Sequence, residues 1–175
     1  MYQVRNGVFE TNSSSTHSIC IPKKHVDAGA YIDFHIGEYG WDYDDVDAAD
    51  YLYTAILCFD DWRELLDRLK EALDCHGVRY TFEKPEWDNE CEDCLVNGWI
   101  DHAYDTREFV EAVLDDDDLL MRLLFGDSHV YTGNDNDDIT GKCWSAEPTV
   151  WTYDGNEIPN PDHDEDAYDY FFKAN

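Results

Sequence analysis

Positive charge is what this chain has least of. Its 175 residues include 12 Lys and Arg against 41 Asp and Glu, a formal net charge of -29 with a pI near 4.1. Binding a polyanion over a broad surface needs Lys and Arg, so direct nucleic-acid binding is excluded, and docking on an anionic membrane is disfavoured for the same reason. No apolar run approaches the roughly 18 residues that span a bilayer. The opening MYQVRNGVFETNSSST has no charged-then-apolar signal pattern, and a cytoplasmic protein is expected. The sequence has no GxSxG, no Walker-type GK[ST], no HExxH and no internal repeat. GNDNDD (133–138) has the aspartates of a calcium loop but neither its glycine nor its terminal Glu.

What is present suffices for a core: 43% of residues are hydrophobic and 15% aromatic, which argues against disorder. The length fits one domain, 1–175. Strands are expected over 2–9, at Ile19–Cys20–Ile21, around Tyr31, Phe34 and Ile36, and over 78–82, 129–132, 150–153 and 168–172. Apolar residues from Val46 to Leu57 follow a helical period, and Trp62, Leu65, Leu66, Leu69 and Leu73 form a second stripe, with Asp60-Asp61 as cap and Gly77 as stop. A third helix is expected over 106–114 with Asp105 as its N-cap, and a fourth over 119–125 ending at Gly126. Strands and helices without a βαβ rhythm predict an α+β fold, with a mixed or antiparallel sheet and about four helices.

The acids are segregated from the bases. Ten fall between Lys24 and Arg63 with no base among them, including Asp42, Asp44, Asp45, Asp47 and Asp50; Asp115, Asp116, Asp117 and Asp118 form an unbroken run. Packing like charges destabilises a compact state, although acidity also aids solubility. Duplex DNA carries about one charge per 1.7 Å. Fixed carboxylates interleaved with Tyr39, Trp41 and Tyr43 can stand in for phosphates in a cationic groove. Those aspartates are the candidate partner-binding residues. The expected function is an acidic nucleic-acid mimic that inhibits a basic host nuclease.

Cys91-Glu-Asp-Cys94 is a single CxxC. With Cys75 and His102, or with His76 or Cys143, it makes a candidate structural zinc site that would tie down segment 84–105; ordinary reduced thiols are the alternative. Glu92 and Asp93 inside the motif disfavour a reactive thiolate.

The string TNSSSTHS (11–18) reads as a polar turn whose side chains satisfy their own backbone. Its other reading is a phosphate cradle or a Ser–His nucleophile, which gives an alternative enzyme acting on a nucleotide or other phosphoester through Glu10, Asn12, Ser13, His17, His102 and Asp135. An acidic interaction module with no inhibitory role is the third reading.

The stretch from Val4 to Ser18, VRNGVFETNSSSTHS, resembles the start of a group of accessory proteins from phages and mobile elements of Firmicutes. Further matching pieces are GEYGW (37–41), YLYTAIL (51–57), WIDH (99–102) and FGDSHVYTGNDND (125–137). The resemblance implies a phage context but no transferable activity, and the CxxC lies outside it. In that context, inhibition of host defence enzymes, of the anti-CRISPR or anti-restriction kind, is an analogy.

Overall fold

In the computed structural model, residues 15–40, 44–88, 95–134, 141–152 and 154–174 are described. In chain order the elements are β1 (Ser15–Pro22), β2 (Tyr31–Phe34), β3 (Glu38–Tyr39), β4 (Asp44–Val46), α1 (Ala48–Leu57), α2 (Trp62–Cys75), β5 (Arg79–Phe82), β6 (Trp99–Ile100), α3 (Arg107–Asp115), α4 (Asp117–Phe125), β7 (His129–Asn134), β8 (Thr149–Trp151), β9 (Glu157–Pro159) and β10 (Tyr168–Ala174). The fold is α+β, with four α-helices among the described residues, as the sequence pattern predicts.

The centre is β1, which pairs antiparallel with β7 on one side and β10 on the other; β4 adds outside β7, giving the order β10-β1-β7-β4. Successive side chains of β1 enter opposite layers. Ile19 and Ile21 join the main core with the helices, Val130, Tyr170 and Phe172. Cys20 points the other way, into a smaller cluster with Tyr131, Cys143, Ala146 and Phe171. Two parallel ribbons, β2–β5 and β3–β6, and the antiparallel pair β8–β9 make up the other sheets among the described residues.

The turn expected over 11–18 is corrected from Ser15 onward. Ser15, Thr16, His17 and Ser18 belong to the central strand and all are buried. Ladder partners on β7 and β10 satisfy their backbone, so the hydroxyls have no turn to cap. Residues 2–9 and 11–14 lie outside the described residues.

The helices follow local chemistry. Asp47 caps α1 by accepting from Ala49 N and Asp50 N, and nearly every residue of α1 is buried. α2 buries only the stripe Leu65, Leu66, Leu69, Ala72 and Leu73. It ends where Gly77, at φ +69°, lets Val78 N reach Leu73 O at 3.0 Å and Gly77 N reach Asp74 O at 3.0 Å. Asp61 occupies the N-cap position of α2 without capping it, because its carboxylate takes both Nη atoms of Arg107 at 2.6 and 2.7 Å. Asp105 is not the cap of α3 either: a 3-10 turn, Ala103–Thr106, leads into that helix and includes Asp105. Within 84–105, Trp87 bridges to Leu95 and stacks on Trp62 at 5.1 Å, so apolar contact holds its described ends.

Candidate functional site

His17 is fully buried in mid-strand. Its Nε2 lies 2.8 Å from the backbone oxygen of Asp101 and 2.9 Å from Ser15 Oγ. These two contacts fix the tautomer. A carbonyl oxygen can only accept, so Nε2 must carry the proton, and Nδ1 keeps the lone pair. The nitrogen facing Ser15 is therefore already a donor and cannot take the serine's proton. Ser15 and His17 do not form an activated nucleophile. Burial lowers the His17 pKa; the Asp101 carbonyl and carboxylate oppose that, and His102 adds to it.

The ring of Tyr51 lies 5.8 Å from that of His17, and Tyr39 lies 5.4 Å further on. Tyr51 is fully buried and its hydroxyl has no partner among the described residues. Its phenol is accordingly held well above its ordinary pKa by burial. A buried unpaired hydroxyl carries its desolvation cost without return, so Tyr51→Phe is expected to leave stability unchanged or raise it by about 1 kcal/mol in urea unfolding. A loss of similar size would show that the hydroxyl has a partner.

The structure brings His102 close enough to His17 for their charges to interact. His102 itself is 44% exposed, sits 3.4 Å from Asp105, and has a left-handed backbone (φ 55°, ψ 35°). Glu10, Asn12, Ser13 and Asp135 lie outside the described residues.

The acidic candidates divide into two groups. Asp115–Asp118 mark a helix junction. Asp115 meets Arg68 at 2.6 Å, and Asp116 caps α4 by accepting from Asp118 N and Leu119 N. Asp117 is 3.5 Å from His76, and Asp118 contacts His25 at 2.7 Å and Arg122 at 2.9 Å. Acids in a first helical turn face the positive end of the helix dipole. This run is engaged internally.

The second group surrounds α1's N-terminus. Asp33, Asp47 and Asp50 line a cleft of about 430 Å³ together with Tyr31, His35, Ile32, Leu124 and Phe125, and no Lys or Arg among the described residues lines it. Burial raises the Tyr39 phenol, and Asp50, Asp47 and Asp44 push it the same way; Asp44 stands on β4, three residues before Asp47. Burial likewise raises the Asp50 carboxyl, with Asp47 adding to it, while His35 opposes: His35 N donates to Asp50 Oδ1 at 2.7 Å. Asp33 is held low by hydrogen bonds from Thr81 and Tyr31. Asp45 is turned toward Tyr131 OH at 3.1 Å, and Asp42 lies outside the described residues. The sequence marks Tyr31 only as a strand residue, and Asp33 and His35 not at all. Their i, i+2, i+4 spacing along and just past β2, which puts them on one face, was the available signal.

A larger cleft of about 490 Å³ lies by Lys24, Arg122, Phe125 and Tyr168 at the C-terminal end of α4. The carbonyl end of a helix disfavours an anion there, and Arg122 is already paired with Asp169 at 2.7 Å.

No group of three His, Cys, Asp or Glu side chains is arranged for a metal among the described residues. Cys75 is exposed at the end of α2, and buried Cys143 lies 3.6 Å from the backbone oxygens of Ser18 and His129. Cys91 and Cys94 lie outside the described residues. No helix among the described residues is long and apolar enough to cross a membrane.

Comparison with protein-family models, with curated proteins and with solved structures gives no match.

Proposed function

We propose that this protein is a non-enzymatic inhibitor that offers an anionic cleft to the cationic nucleic-acid groove of a host defence nuclease, in the manner of an anti-CRISPR or anti-restriction decoy. The observation that carries the reading is the cleft of Asp33, Asp47 and Asp50, with Tyr31 half-exposed at its wall and no Lys or Arg in its lining among the described residues. Carboxylates held on a strand and on a helix N-cap are already fixed before binding, so association costs little ordering and is steered at long range. A guanidinium or ammonium entering the cleft meets opposite charge, while the ring of Tyr31 at the wall has the chain's own Arg79 guanidinium 6.0 Å from its centroid. The partner is a basic protein in the host cytoplasm, with neither nucleic acid nor membrane bound directly. The phosphoester reading has less support, because the His17 nitrogen next to Ser15 already holds its proton.

The test compares two triple variants of equal charge. Asp33→Asn and Asp47→Ser remove two of the three cleft carboxylates and Asp44→Asn removes a neighbouring one, with serine keeping the α1 cap. Asp67→Asn, Glu71→Gln and Asp74→Asn remove the same charge from α2. Binding to a panel of Cas-type ribonucleoproteins and restriction endonucleases is measured at low and at high salt. The cleft variant is expected to bind at least about tenfold more weakly, the α2 variant within about twofold of the wild type, and affinity is expected to fall as salt rises. Equal loss in both variants would mean that net charge alone drives binding, and the decoy reading would fail.

A further inference from the structure

Buried polar atoms without partners are rare in folded proteins and call for a cause. Three of those found among the described residues, His17 Nδ1, Asp101 Oδ2 and Tyr51 OH, belong to residues in contact through His17: its ring lies 5.8 Å from that of Tyr51, and its Nε2 is 2.8 Å from the backbone oxygen of Asp101. With His17 neutral, two of them cannot help each other, since Nδ1 offers a lone pair and Asp101 Oδ2 accepts only. One added proton reverses this: Nδ1–H becomes a donor and the Asp101 carboxylate its charge-matched acceptor. Asp101 already holds Nε2 through its backbone oxygen, so engaging Nδ1 with its side chain requires the backbone at 101–102 to turn. His102, in the next position, has a left-handed backbone that a non-glycine residue adopts only at a cost. A change of torsion there releases strain.

We propose that protonation of His17 is a conformational switch for segment 99–106, drawing the Asp101 carboxylate onto Nδ1 and relaxing the turn at His102. The segment carries two exposed aromatics, Trp99 at 40% and Tyr104 at 70%, so the switch moves accessible contact surface. The groups facing His17 are Ser15 on its own strand, Thr132 opposite on β7, Ala174 opposite on β10, Tyr51 on α1 with Tyr39 behind it, and Asp101, His102 and Asp105 on the turn. Asp101 and Asp105 favour the imidazolium, and His102 opposes it. The sign follows from burial. The folded state holds His17 neutral below the pH at which an unfolded histidine, near 6.5, takes its proton. Stability therefore falls as pH drops below about 6.5, and the segment nearest His17 responds first.

The test is hydrogen exchange read by NMR between about pH 8 and about pH 5, together with the ring shifts of His17. After correction for intrinsic exchange, protection over 99–106 is expected to fall about tenfold relative to the amides of Leu65, Leu69 and Leu73 in α2. The midpoint is expected to coincide with the His17 titration. Asp101→Asn keeps the carbonyl but removes the charge, and should move both midpoints together to lower pH. His17→Gln, which keeps a donor for the Asp101 carbonyl, should abolish the step. Unchanged protection down to pH 5, a step that persists in His17→Gln, or midpoints that separate in the wild type or in Asp101→Asn would each overturn the proposal. Should His17→Gln fail to fold, the wild-type and Asp101→Asn midpoints still decide it.

Discussion

Phe109→Ala lowers the unfolding free energy by about 3–5 kcal/mol, read from the urea midpoint at unchanged slope. Phe109 is fully buried, and its ring lies 6.1 Å from Tyr51, 5.9 Å from Phe172 and 6.5 Å from Tyr170. It is the point where α3 meets both α1 and the outer strand β10. Its neighbours cannot close over the vacancy. Tyr51 is fixed on a helix buried on nearly all sides, and Phe172 and Tyr170 are held by pairing with Ile19 and Ile21. The cost therefore includes a residual cavity as well as the lost transfer energy. Native stabilities of about 5–15 kcal/mol leave little margin for such a loss, and uncompensated surface charge narrows it further. A loss under about 1 kcal/mol would mean that α3 does not seat on the sheet through this ring.

Legibility in the sequence tracked how local each cause is. α2 was readable because its stripe repeats at helical spacing and Gly77 supplies the left-handed residue its C-terminus needs. Asp47 lay in a dense run of acids whose capping role only its φ, ψ and acceptor geometry reveal. β1 was legible at Ile19–Cys20–Ile21 but not in its first half, which is Ser, Thr and His: pattern reasoning assigns these to turns, and only pairing with β7 and β10, more than a hundred positions away, justifies burying them. The acidic cleft was half legible. Asp44, Asp47 and Asp50 stood out by density, whereas Asp33 and Tyr31 come from a strand whose partner, β5, is about fifty residues on. Asp115–Asp118 looked like a display surface because its relief is distant in sequence: Arg68 lies 47 positions from Asp115, and His25 lies 93 from Asp118.

Arg122→Met costs about 2–3 kcal/mol, a value set between the cost of breaking a buried pair and the small worth of an exposed one. The Arg122 side chain is only 7% exposed, unusual for a charge in a chain with so few bases. Its Nη1 donates to Pro22 O at 2.8 Å and to Asp169 Oδ1 at 2.7 Å, tying the end of β1 to β10 from α4. Its Nε lies 2.9 Å from Asp118 Oδ2 but is not aimed along a hydrogen bond, so that contact counts as charge proximity alone. Methionine restores most of the volume, so the loss reports polar terms: an unsatisfied Pro22 carbonyl and two carboxylates deprived of their shared cation. Asp118 and Asp169 are 51% and 41% exposed, and water takes up part of their charge, which holds the cost below that of a fully buried pair. Asp118→Asn, which removes the misaligned contact, the exposed pair with His25 and one charge from the first turn of α4, is expected to change stability by about 1 kcal/mol or less. If the two variants were equally destabilised in urea, the carbonyl of Pro22 would not be the atom that makes Arg122 indispensable, and the link between α4 and the sheet would have to lie in apolar contact instead.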